Sequence, residues 1–119
     1  MVKLLNESTD MIAYTPKTPY YAVIFTSIRT EGDKGYEEMA DKMMDLAKQQ
    51  DGFLGVESAR NIIGITVSYW RDLDSIKKWK EHTEHKIARE SGRKIWYKAF
   101  KIRIAKVESD YDYIKILDF

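Results

Sequence analysis

Two histidines, three tryptophans and no cysteine set the limits of the chemistry this chain can do. His82 and His85 stand three residues apart, about one helical turn, with Glu81 and Glu84 beside them. A zinc site draws about three or four ligands from protein, and a cysteine-free chain with two histidines is short of them. Glutamates flanking histidines are ordinary on a helix surface, so no metal site is expected. Lacking cysteine, the chain also has no disulfide, thiolate nucleophile or iron–sulfur cluster. At about 100° per residue, His82 lies about 60° round a helix from Trp79, and His85 about 120°. His82 therefore points nearest to whatever Trp79 packs on. Trp79 itself falls on the apolar stripe, where core packing is the plain role of a tryptophan. The fifteen aromatic rings of this short chain must fill a core, an interface or a pocket.

The elements that position these residues follow from periodicity. Residues 1–18 contain Pro16 and read as a tail; Pro19 then precedes YYAVIFTSIR (20–29), a β-branched and aromatic strand. Turn chemistry follows at Thr30–Gly35. Tyr36, Met39, Ala40, Met43, Leu46 and Ala47 recur at three and four, the stripe of an amphipathic helix, with Met39, Met43 and Met44 as core filler. Gly52 is placed for the left-handed cap conformation at the end of that helix. FLGVESARN (53–61) and GITVSYWR (64–71) form a hairpin. Asp72 or Asp74 caps a second helix carrying Ile76, Trp79, Thr83 and Ile87 on one face, and Gly92 ends it. IWYKAFKIRIAKV (95–107) is a long last strand, apolar at Trp96, Phe100, Ile102 and Ile104. The domain is expected over residues 19–108, with 109–119 as a C-terminal extension apolar enough to dock on something.

The order β-α-β-β-α-β is that of an α+β, ferredoxin-like fold. Right-handed crossovers place both helices on one face of a four-stranded antiparallel sheet. Tyr21, Val23 and Phe25 point to one face, and Tyr20, Ala22, Ile24 and Ile28 to the other. An uncovered antiparallel face reads polar, and this one does not. The same face of a second copy is the simplest cover, so a homodimer is expected.

Charge is unevenly spread. Residues 77–106 carry 11 basic and 3 acidic side chains, whereas residues 1–76 carry 8 and 12. Such a surplus suits an anionic ligand or simply a solvated helix and edge strand. Nucleic-acid binding on a ferredoxin-like sheet uses a basic-Gly-aromatic-Gly-aromatic strand motif, which GITVSYW lacks, so no nucleic-acid partner is expected. No run approaches the roughly 20 apolar residues of a membrane span, and the N-terminus lacks a secretory apolar stretch. A cytoplasmic location with no membrane contact is expected.

PYYAVIFTS (19–27), MADKMMDLAKQQDGFLGVES (39–58), GITVSYW (64–70), WKEHTEH (79–85) and GRKIWY (92–97), in this order and spacing, resemble the antibiotic biosynthesis monooxygenase family, in particular its small bacterial members. The resemblance implies a dimeric α+β barrel. It also implies oxidation of a small aromatic phenol, quinol or polyketide-like compound by dioxygen, with no metal, flavin or other cofactor. Such a site needs aromatic walls, a donor or cation and a dry cleft. On this resemblance His82 and Trp79 are the catalytic candidates, and Trp70, Tyr69, His85, Arg93, Trp96 and Tyr97 the substrate-binding ones. A non-catalytic dimeric domain that binds a hydrophobic ligand is the alternative. A heme-degrading branch of the fold uses a strand 1 asparagine, a tryptophan and a helix 2 histidine. Here the strand 1 position falls at Thr26 or Ser27 and the histidine position at Arg89, so heme degradation is not expected.

Overall fold

Six elements alternate as the periodicity predicts: β1 (Tyr20–Arg29), α1 (Tyr36–Lys48), β2 (Phe53–Arg60), β3 (Gly64–Trp70), α2 (Leu73–Arg89) and β4 (Tyr97–Val107). They are seen in a computed structural model that describes residues 11–89 and 95–115, with 85–89 described by backbone alone. The strands form one antiparallel sheet in the order β2-β3-β1-β4. This is the α+β ferredoxin-like arrangement, with the first and third strands in the middle. The Gly92 helix end and the stripe position Ile87 lie outside the described side chains.

Register assigns the two faces. Val23, Phe25 and Ser27 stand opposite Ser68, Thr66 and Gly64 on β3, and opposite Ile104, Ile102 and Phe100 on β4. Side chains alternate along a strand, so these residues share one face with Trp70, and the helices pack there. Ile76 is 4% exposed, and Trp79 lies over Trp70. From α1, Met39 and Ala47 are buried. Tyr36, at the start of that helix, meets Trp96 and Tyr97 edge-on. The ring of Trp96 is therefore not on the sheet: β4 begins one residue later, after a register shift at Ile28/Arg29, and the indole donates to the Lys34 carbonyl at 2.9 Å.

Turn chemistry agrees with the residues present. Gly52 has φ +88° before β2, and a Cβ there would run into the Ser75 side chain. The α1 C-cap is Gln49, so Gly52 shapes the link to β2 rather than the cap itself. At the start of α2, Asp72 accepts hydrogen bonds from the Ser75 N–H at 2.8 Å and the Ser75 hydroxyl at 2.7 Å. Arg71 bridges Asp72 and Asp51. The Ser75 bonds first, and then Arg71, hold the Asp72 carboxyl down at about 2. A carboxyl lowered on folding contributes stability above its unfolded value near 3.8 and loses it as pH falls through about 2. Asp72→Ala should therefore flatten the decline in thermal stability between pH 4 and pH 2. An unchanged acid limb would remove Asp72 from that role.

The second face carries Tyr20, Ala22, Ile24 and Ile28 beside Tyr69, Val67 and Ile65. The chain covers part of it alone, which amends the expectation that a second copy must cover all of it. The Ala13 N–H donates to Glu57 at 2.9 Å, Thr15 donates to the Tyr20 hydroxyl at 3.0 Å, and that hydroxyl donates to Asp110. Tyr20 and Ala22 are consequently about 5% exposed. Ile28 and Ile65 remain 40% and 45% exposed. Ala13, Thr15 and Asp110 thus tie the segments that flank the domain to the sheet.

Candidate functional site

A cleft opens between α2 and the helix-facing side of the sheet. Phe25 from β1, Lys80, Thr83 and Glu84 from α2, and Tyr97, Phe100 and Ile102 from β4 line it. Its origin is local. Thr83 follows Ile76 by seven residues and so returns to the inward stripe of the helix. Phe100 and Ile102 share the inward phase of β4, across from Ser27 and Phe25. Phe25 meets Tyr97 edge-on at 5.5 Å and Phe100 at 5.5 Å, and Tyr97 meets Phe100 at 5.7 Å. Three rings therefore form one continuous wall. Lys80 brings a cation to the rim, and the Thr83 hydroxyl donates to the Lys80 carbonyl at 2.9 Å.

The cavity measures about 60 Å³. A cavity of about 150 Å³ admits benzene, so this one holds a small molecule while a ring could only lie across its mouth. Burial first, and then the hydrogen bond to Tyr36 at 3.4 Å, raise the Tyr97 phenol above its ordinary value. Tyr97 is thus a neutral hydrogen-bonding wall at neutral pH.

The residues singled out from sequence are distributed around this cleft rather than gathered in it. Of those described, Tyr97 lines it. Trp79 and His82 adjoin Lys80 and Thr83 on α2 without lining the cleft, and the rings of Trp70, Trp79 and His82 stack in series at 5.9 and 5.6 Å. That stack runs from the core to the surface, because Trp70 is fully buried while His82 is exposed. Trp70 therefore presents no surface to a ligand within this chain. Tyr69 is on the second face, donating to Glu57 at 2.6 Å and edge-on to Tyr20 at 5.8 Å. Burial first, and then the Glu57 bond, hold its phenol above the ordinary value. Trp96 is 6% exposed beneath Tyr36. Arg93 and the side chain of His85 lie outside the described residues. No group of three or more metal-binding side chains occurs among the described residues, and no described helix is long and apolar enough to cross a membrane.

Lys80, Thr83, Phe25, Phe100 and Ile102 were not singled out as site residues. Their phase was readable: Phe25 lies on the inward side of strand 1, Thr83 on the helix stripe, and Phe100 and Ile102 in the alternation of the last strand. Which turn of α2 faces those rings depends on how the helix lies across the sheet.

The family model for antibiotic biosynthesis monooxygenases matches residues 19–91. An uncharacterised Bacillus subtilis protein, YqjZ, is 52% identical over 101 residues, which cover 83% of this chain and 89% of the relative. Among solved structures, SnoaB, a cofactor-independent oxygenase from Streptomyces nogalater, is similar with a TM-score of 0.65 at 9% identity. That likeness covers 78% of this chain and 97% of SnoaB. A Pseudomonas aeruginosa protein is similar with a TM-score of 0.61 at 15% identity, over 79% of this chain and 97% of its own. At such identities the two structures speak for a common fold.

Proposed function

This chain belongs to the antibiotic biosynthesis monooxygenase family, and on that footing we propose that it is a cofactor-independent monooxygenase acting on a small phenol, quinol or polyketide-like aromatic. The observation that carries the reading is the cleft in which the rings of Phe25, Tyr97 and Phe100 face Lys80. The substrate ring lies across the mouth, and the enclosed apolar space takes dioxygen. An opposite charge within about 4–6 Å lowers the pKa of a phenol, and Lys80 supplies that charge at the rim. The phenolate passes one electron to dioxygen; the resulting superoxide and phenoxyl radical combine at a ring carbon that carries hydrogen. Loss of water from the hydroperoxide leaves a quinone. One oxygen atom enters the product and the other leaves as water, so no external reductant is needed. SnoaB, of the same fold, is a cofactor-independent oxygenase, which supports the same economy here.

The functional unit in this reading is a homodimer in which the exposed remainder of the second sheet face meets its copy. Trp79 and His82 stand outside the cleft lining and steady α2 rather than touch substrate.

Oxygen uptake with an anthrone-like or quinol-like compound tests the proposal, with one equivalent of dioxygen consumed per product. Lys80→Met should lower kcat/KM by about a hundredfold, the lower end of the range for removing one group that stabilises a developing anion. His82→Ala should leave turnover near normal. Ligand binding without oxygen uptake would instead favour the non-catalytic binding domain. Loss of turnover in a stable His82→Ala protein would return His82 to the chemistry.

A further inference from the structure

We infer that the aromatic ligand of the cleft is an acid whose carboxylate is held by Arg60. This rests on reading the cleft as an aromatic-ligand site, but not on turnover. Arg60 ends β2 opposite Gly64, and its guanidinium lies flat across that glycine: a Cβ at position 64 would overlap Nη2, Cζ and Nε. From there the side chain crosses β3 and donates from Nη2 to the Ser27 hydroxyl at 2.6 Å. Ser27 is 1% exposed and lies two residues from Phe25 on the same face. The guanidinium carbon is also 5.8 Å from the ring centre of Tyr36, whose hydroxyl is 3.4 Å from that of Tyr97. Arg60 is outside the lining itself, but through Ser27 and Tyr36 its guanidinium adjoins Phe25 and Tyr97, which wall the cleft.

What marks it is its lack of a counter-ion. Arg71 is bridged to Asp51 and Asp72, at 2.9 and 3.0 Å. Arg60 has no carboxylate within bridging distance among the described residues. Nor does Arg29, whose guanidinium carbon lies over the same Tyr36 ring, 3.6 Å from its centre. Arg29 has a structural explanation: its Nε and Nη2 bind the carbonyls of Trp96, Gly32 and Asp33. Arg60 uses one of five N–H donors on a neutral hydroxyl, and it is exposed. A guanidinium so held is oriented for the two parallel bonds that a planar carboxylate makes. Rings and carboxylate then select together, since the apolar wall alone does not discriminate charge.

Binding of 1-naphthoate against its neutral analogue 1-naphthamide, by calorimetry on the full chain, tests this. Wild type should prefer the acid by at least about tenfold, and the preference should shrink with added salt. Arg60→Met should abolish the preference while leaving 1-naphthamide binding unchanged. Arg60→Lys should restore part of it, because an ammonium lacks the fork. Gly64→Ala provides a variant that keeps the charge but displaces the guanidinium, and it too should weaken the preference. Equal binding of acid and amide by wild type would overturn the carboxylate assignment and leave the aromatic cleft standing. A preference lost in Lys80→Met but kept in Arg60→Met would overturn it in favour of the rim lysine. Failure of both compounds to bind would overturn the cleft reading, and this inference with it.

Discussion

Trp70→Ala lowers the stability of the chain by about 3–5 kcal/mol, the range for removing a core tryptophan. The ring has no exposed surface. Phe53 meets it edge-on at 5.5 Å, Trp79 stacks on it at 5.9 Å, and its Nε1–H donates to the Ser68 hydroxyl at 2.9 Å. It thus joins β2, β3 and α2, and truncation leaves a void that none of these elements can fill without moving. Against a total of about 5–15 kcal/mol for a domain of this kind, the loss is a large fraction. Urea unfolding at fixed protein concentration measures it. Trp70→Phe keeps an aromatic ring between its neighbours and should cost distinctly less. A Trp70→Ala protein within about 1 kcal/mol of wild type would show that the ring stack does not hold α2 to the sheet.

Ile65→Asp should separate the homodimer proposed above into monomers. Ile65 stands beside Thr26 of β1 and Ala59 of β2 on the second face, and it is 45% exposed in the single chain. Ile28 of β1, on the same face, is 40% exposed. In a two-fold interface the substitution places one carboxylate on each copy of the same patch. Burying a charge without a partner costs several kcal/mol, so the dissociation constant should rise by about a hundredfold or more. The monomer should still fold, because the replaced side chain is already open to water within its own chain. Sedimentation at micromolar concentration reads the result directly, with wild type at twice the chain mass and Ile65→Asp at the chain mass. Ile62→Asp, in the β2–β3 turn and 82% exposed, is the control and should remain dimeric. A wild-type monomer would remove the interface, and a dimeric Ile65→Asp would move it elsewhere.

Local pattern determined most of the architecture. The change from period two to period three and four at Tyr36 marks α1, and Asp72 before Ser75 and Ile76 marks the start of α2. The phase of strand 1 separates Phe25 from Ile24. All of these depend on residues close in sequence, where alternation and capping act within one or two turns. The family resemblance was legible in the same way over about residues 19–108, and the family model matches residues 19–91 of it.

Which residues meet across the fold was settled only by tertiary packing. Trp70 and Tyr97 both face the helices, Trp70 by the alternation of β3 and Tyr97 only because the irregularity at Ile28/Arg29 shifts the phase of β4. One is enclosed between Phe53 and Trp79, while the other lines an opening beside Phe100. Trp96 reads as part of the last strand, but the irregularity at Ile28/Arg29 starts β4 at Tyr97 and turns the indole under Tyr36. Thr15 and Asp110 are far apart in sequence, yet they meet at the Tyr20 hydroxyl and close part of a face that reads as wholly open. Arg60 reaches Ser27 only because β3 places Gly64, a residue without a side chain, between them. The reason is the same in each case. Periodicity sets the direction of a side chain on its own element, whereas a site requires the register and crossing of several elements at once, which no local pattern encodes.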